Sequence, residues 1–116
     1  MRHKVVYIAG RYTGETQEDR DMNIEVAKIA AKILWNIGYA VYTPHLNTAR
    51  FEDDDNCICD YEGFITGHME ILSRCDAIYM LDGWKDSSGA LQEHEYAVEF
   101  GIPVFFSIDE LRRWGV

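Results

Sequence analysis

Apolar and polar residues along this chain alternate between two rhythms. Val5-Val6-Tyr7-Ile8-Ala9 is an unbroken apolar run, the pattern of a strand buried on both faces of a parallel sheet. Gly10 to Gly14 reads as a loop. From about Glu18 to Ile37, the residues Met22, Val26, Ile29, Ala30, Ile33, Leu34 and Ile37 recur at three- and four-residue spacing. That spacing predicts an amphipathic helix, closed by Gly38 as its C-cap. Tyr39 to Thr43 predicts a second strand, stopped by Pro44. Residues 45–60 are polar and irregular, with the acidic run Glu52-Asp53-Asp54-Asp55; a loop of this length in a small domain is usually functional or mobile. Asp60 is a cap for a helix predicted from Tyr61 to about Arg74, with Phe64, Ile65, Met69 and Leu72 on its buried side. Ala77 to Leu81 is a third strand, and Asp82 to Ser87 a second loop. Ser87 or Ser88 caps a helix ending near Phe100, with Gly101 after it. Pro103 to Phe106 is a fourth strand, and Ser107 to Glu110 has capping-box spacing for a short last helix over Leu111 to Trp114.

Strands that alternate with helices predict an α/β fold with right-handed crossovers and a parallel sheet. In such sheets ligands bind beyond the C-terminal ends of the strands. Three loops converge there: Gly10 to Gly14, the segment from Pro44 onward, and Asp82 to Ser88. A length of 116 residues predicts one domain spanning 1–116.

Charge narrows the partners. The formal net charge of −9 argues against nucleic-acid polymers and anionic membranes, which need a basic patch. It leaves room for a small phosphorylated ligand held by a helix N-terminus and one arginine. Cys57, Cys59 and Cys75 are odd in number and fit no disulfide framework, so a cytoplasmic location is expected. The apolar run Val5–Ala9 is too short for a signal-peptide core or a membrane span.

Glu93 carries the most chemical promise. It follows the apolar run of strand three and the small-residue turn Ser87-Ser88-Gly89, early on a helix whose dipole favours an ionised carboxylate. Such a group can attack an electrophilic carbon or stabilise a cation beside it; a helix-capping or solvated glutamate is the plain alternative. Tyr7, inside strand one, needs a partner for its hydroxyl if buried, with core packing as the alternative. Gly10, Arg11, Thr13 and Gly14, together with Ser87, Ser88 and Gly89, supply donors that can cradle a phosphate, although turns use glycine in any case. Trp84 can stack on a flat ring, whereas Trp35 is expected in the core. His45, Cys57, Cys59 and His68 match no zinc spacing, so the acidic segment reads as a surface loop and no metal or cofactor is expected.

Three segments form an ordered set: Tyr7-Ile8-Ala9-Gly10, Cys75-Asp76-Ala77-Ile78, and Ser87-x-Gly89-x-x-x-Glu93-x-x-x-Ala97. Together they resemble the nucleoside 2-deoxyribosyltransferase-like superfamily, including nucleoside 5′-monophosphate N-glycosidases. The resemblance covers nearly the whole chain. It implies a flavodoxin-like three-layer α/β/α fold with a four- to five-stranded parallel sheet. It implies that Glu93 is the nucleophile, that Tyr7 orients it, and that, in the phosphate-using branch, the first loop and the serine-glycine turn hold a 5′-phosphate. Family enzymes carry an aspartate on the helix before strand three; this chain has His68 there, with Glu70 two residues on, so these two are the candidates for the acid. The resemblance also implies a homo-oligomer, for which the segment Leu111 to Val116 is a candidate contact.

Three functions follow as expectations. The first is cleavage or transfer of the N-glycosidic bond of a nucleoside or nucleoside 5′-monophosphate through a covalent, retaining glycosyl-enzyme. The second is a nucleotide-binding or sequestering module without turnover, suggested by the missing aspartate. The third is a metal-dependent hydrolase.

Overall fold

The computed structural model describes residues 3–116. Four strands, β1 (Val5–Ala9), β2 (Ala40–Tyr42), β3 (Ala77–Met80) and β4 (Val104–Phe105), form one sheet in the order β2-β1-β3-β4. Every neighbouring pair is parallel. Five helices connect or follow them: α1 (Gln17–Ile37), α2 (Pro44–Asn47), α3 (Tyr61–Leu72), α4 (Ser88–Glu99) and α5 (Ile108–Trp114).

Side-chain alternation along β1 and β3 sorts the core into two halves. Val6, Ile8 and Ala77 pack with Ala27, Ala30, Ala31 and Leu34 of α1 and with Leu111 of α5. Tyr7, Ala9, Ile78 and Met80 pack on the other face with Leu72 of α3 and with Ala90 and Ala97 of α4. The result is the expected flavodoxin-like three-layer α/β/α sandwich, with four strands. Its switch point lies between β1 and β3, from which crossovers leave in opposite directions.

Local chemistry explains the boundaries. Thr16 and Asp19 form a reciprocal capping box that starts α1. Ser107 accepts from the N–H of Glu110 at 3.2 Å, while Glu110 accepts from the N–H of Phe106 at 3.0 Å. α5 therefore begins at Ile108, one turn before the expected Leu111. Pro44 ends β2 but also opens α2, since its fixed φ suits a first helical position. The stretch 45–60 is thus partly ordered: it holds most of α2 and a short 3₁₀ turn at Phe51–Asp53.

Two expectations about burial fail. On α1 the sheet-facing side is built mainly of alanine, and Met22, Val26 and Ile29 are 64%, 44% and 52% exposed. Small residues let the helix lie close to the sheet, which turns the bulkier stripe outward. Trp35 is also exposed rather than in the core. In the C-terminal segment Leu111 to Val116, Arg112, Arg113 and Val116 are exposed. Leu111 is fully buried, and Trp114 lies against Tyr39, Phe105 and the Lys4 ammonium. Among the described residues no helix is long and apolar enough to cross a membrane.

Candidate functional site

The C-terminal edge of the sheet opens into a cavity of about 550 Å³, within the size range of small-molecule sites. Its floor is the start of the first loop, Gly10 to Thr13; its walls come from α2, α3 and the first turns of α4. Gly10 is glycine for a steric reason: a Cβ there would stand 2.8 Å from the Leu81 side chain. Gly89 lets α3 approach α4, since a Cβ would meet Ile65 at 3.2 Å and the Tyr61 hydroxyl at 3.3 Å.

Glu93 lines this cavity yet is only 7% exposed. It lies on the second turn of α4, so the helix dipole acts on it weakly. Among the described residues its one side-chain partner is the Tyr7 hydroxyl, which donates to Oε2. Burial raises the Glu93 pKa to about 7, while the Tyr7 hydrogen bond pulls it down. The Tyr7 hydroxyl is pushed well above the usual tyrosine range by burial and then by the neighbouring carboxylate, so it stays protonated and donating. At neutral pH this gives a carboxyl poised between its two forms, with a fixed donor on one oxygen.

A second polar chain crosses the cavity wall. Tyr7 and Tyr42 are register partners in β1 and β2, so their rings lie on the same face, 5.5 Å apart. Asn47 Nδ2 donates to the Tyr42 hydroxyl at 2.8 Å. That leaves the Tyr42 proton for His68 Nδ1, 3.1 Å away. Nδ1 then accepts, and His68 Nε2–H donates to Thr48 Oγ1 at 3.2 Å. Thr48 in turn donates to the Pro44 carbonyl at 3.4 Å. The donor order assigns His68 to its neutral Nε2–H tautomer, and burial lowers its pKa in the same sense. Both ring nitrogens are committed.

The first loop is tied down by side chains. His45, 3% exposed, donates Nε2–H to the Arg11 carbonyl at 2.9 Å. Asn23 donates to the carbonyls of Tyr12 and Thr13 at 3.2 and 3.3 Å. The acidic segment is fastened over α1: Arg20 pairs with Glu52 at 2.7 Å and Asp53 at 2.8 Å, and Arg50 pairs with Asp21.

The structure brings together Glu93, His68, Gly10, Arg11, Thr13, Ser87, Ser88 and Gly89 around the cavity, with Tyr7 behind Glu93. Three expected residues stand elsewhere. Glu70 is exposed on the outside of α3, where its side chain meets Ser73 at 3.2 Å and Arg74 at 3.9 Å. Trp84 stacks on His94 at 4.5 Å. Gly14 lines a separate small hollow with Thr16 and Arg20. Sequence reasoning missed Tyr42, Asn47 and Thr48. Strand pairing held the signal for Tyr42; the two residues on and after α2 gave none. His45, Cys57 and His68 all reach the cavity, but among the described residues no group of three or more His, Cys, Asp or Glu is placed to hold a metal ion. The three cysteines are free thiols.

This architecture and site define a flavodoxin-like α/β protein with a small-molecule cavity at the switch point of its sheet. The chain belongs to the DUF4406 family, a domain family of unknown function whose model matches residues 4–106. Two solved structures share its fold. One is a 2-deoxyribosyltransferase from the psychrotolerant bacterium Bacillus psychrosaccharolyticus, with TM-score 0.63 and 18% identity over 86% of this chain and 69% of that one. The other is a conserved protein from Enterococcus faecalis V583, with TM-score 0.65 and 23% identity over 89% of this chain and 62% of that one. No curated protein matches the chain. The chain thus shares its fold with that 2-deoxyribosyltransferase.

Proposed function

We propose that this protein breaks the N-glycosidic bond of a nucleoside or nucleoside 5′-monophosphate, with Glu93 as nucleophile. The observation that carries the reading is the buried Glu93 carboxyl at the cavity wall, holding the Tyr7 hydroxyl on one oxygen. The resemblance of the Glu93 segment to the superfamily and the shared fold of a 2-deoxyribosyltransferase support it.

In this reading the free oxygen of ionised Glu93 bonds to C1′ while the C1′–N bond breaks, and the base leaves with the bonding pair. The oxocarbenium character of the transition state is stabilised by the adjacent carboxylate. Tyr7 holds the carboxylate in line and stabilises its ionised form against burial. His68, held neutral with both nitrogens occupied, orients rather than protonates, and Glu70 lies outside the cavity. The departing base therefore takes its proton from water in the open cavity. Water or a second base then attacks C1′, the ester breaks, and Glu93 is restored with overall retention. Arg11, Thr13 and the Ser87-Ser88-Gly89 turn take the 5′ end of the substrate.

The test is a chromatographic screen of nucleosides and 5′-monophosphates, each with and without added free base. Base release that is lost in Glu93→Ala, with the fold intact, is expected. No release across the panel contradicts the proposal. One observation favours the second reading, a nucleotide-binding module: the cavity offers no charged acid at the position of His68. Thermal stabilisation by nucleotides without any product distinguishes it.

A further inference from the structure

A base can leave C1′ as a neutral molecule in two ways: it takes up a proton, or it begins with a positive charge. The cavity is poorly equipped for the first. His68 is held in its neutral form, Nδ1 accepting from Tyr42 and Nε2–H donating to Thr48. His45 donates Nε2–H to the Arg11 carbonyl, and burial lowers its pKa as well. The Tyr7 hydroxyl is engaged by Glu93. The remaining donors on the described wall include the Tyr61 and Ser88 hydroxyls and the Cys57 thiol, groups that are weak acids at neutral pH. Among the described residues, no side chain on the wall is an acid free to protonate a base.

The same wall suits positive charge. Three exposed acidic residues besides Glu93 line it: Glu52, Asp60 and Asp86. An exposed carboxyl is a carboxylate at neutral pH. Arg20 offsets Glu52 at 2.7 Å, which leaves Asp60 and Asp86. Against them stands Arg11, the one cationic side chain on the lining among the described residues. Aromatic rings accompany the acids, since Tyr12, Tyr61 and Phe64 also face the cavity. A ring face attracts a cation electrostatically, more strongly where water is excluded.

We propose that the preferred substrate is a nucleoside whose base is a cation, such as an N7-alkylated purine or a quaternary pyridinium; this rests on Glu93 as nucleophile. The free Glu93 oxygen bonds to C1′ as the C1′–N bond breaks. The bonding pair passes to the ring nitrogen and cancels the charge of the base, which leaves neutral without a proton. Water then bonds to C1′, the ester C–O pair returns to Glu93, and the surplus proton of that water passes to solvent. A neutral base must instead leave as an anion and collect its proton from water, which is the slower course.

Matched substrates test this at pH 6, where 7-methylguanosine is a cation and guanosine is neutral. Both are used as ribo- and 2′-deoxyribonucleosides and as their 5′-monophosphates, with nicotinamide riboside as the pyridinium. An enzymic general acid contributes about 100- to 10,000-fold to such a step. In its absence, kcat/KM for the methylated member should exceed that for its parent by at least about 100-fold, after subtraction of the buffer rate. Glu93→Gln, which lacks the nucleophile, should bind 7-methylguanosine roughly tenfold more tightly than guanosine in calorimetry. Guanosine released as fast as its methylated partner, or bound as tightly, overturns the inference; if Glu93→Ala abolishes that release, the Glu93 reading stands. Release from 7-methylguanosine that persists in Glu93→Ala contradicts Glu93 as nucleophile instead. Tighter binding of the cation with no release of any base also contradicts the Glu93 reading and leaves the cation preference standing. Equal binding with no release overturns both.

Discussion

Tyr7→Phe isolates the interaction on which the proposed chemistry depends. The ring is fully buried and packs against Tyr42, so phenylalanine keeps the shape and removes only the hydroxyl. Glu93 titrates at about 7 because burial raises it and the Tyr7 hydrogen bond lowers it. A hydrogen bond to an ionised partner is worth about 1.5–3 kcal/mol. If most of this favours the carboxylate over the acid, its loss moves the Glu93 midpoint up by about one to two pH units. At pH 7 the ionised fraction then falls from about one half to about a tenth or less. The assay is a carbon-13 titration of side-chain-labelled glutamates, with the Glu93 resonance assigned by its absence in Glu93→Gln. Where turnover is measurable, the acid limb of kcat/KM moves upward by the same amount. A Glu93 midpoint in Tyr7→Phe that equals or falls below the wild-type value refutes the reasoning.

Three further outcomes follow. Because the folded pKa of Glu93 lies above the ordinary 4.5, the folded chain holds this proton more tightly than the unfolded chain. That contribution is full below pH 4.5 and lost as pH rises through about 7, amounting to about 3 kcal/mol. Urea unfolding should show Glu93→Gln gaining on wild type by roughly this much between pH 4.5 and pH 8, whereas a pH-independent difference contradicts the assigned burial. Gly10→Ala forces a Cβ to within 2.8 Å of Leu81 and is expected to cost about 1–3 kcal/mol, read as a lowered thermal midpoint; an unchanged midpoint shows that the loop yields freely. Glu70→Ala, which changes an exposed side chain outside the cavity, should leave base release and nucleotide binding unchanged, and a large loss of either would return Glu70 to the site.

The strand–loop–helix segment around Glu93 was legible in the sequence because each part has a local signature: an apolar run, a serine cap and a small-residue turn. Tyr7 stood out as a hydroxyl inside a buried strand, but its place beside Glu93 was implied only by the resemblance. The companions of His68 were not legible, since Tyr42, Asn47 and Thr48 meet it only through tertiary packing. Glu70 failed because helix phase matters: it sits two residues past His68, which places it on the solvent side of α3. α1 failed for a different reason. Its periodicity marks two neighbouring apolar faces, and spacing alone does not say which one meets the sheet. Alanine size decided it, and the bulkier face is left exposed.

The central claim is that Glu93 forms a bond to the sugar. A panel of 2′-deoxy-2′-fluoro-arabinofuranosyl nucleosides and their 5′-monophosphates tests it, because the fluorine destabilises the oxocarbenium-like transition state through which the glycosyl-enzyme ester breaks, so that the ester accumulates. Intact mass of the incubated protein should increase by one fluorinated sugar or sugar phosphate, and peptide mapping should place the adduct on Glu93. An adduct on another residue, or base release from the natural substrate with no adduct from its fluorinated analogue, would contradict the account.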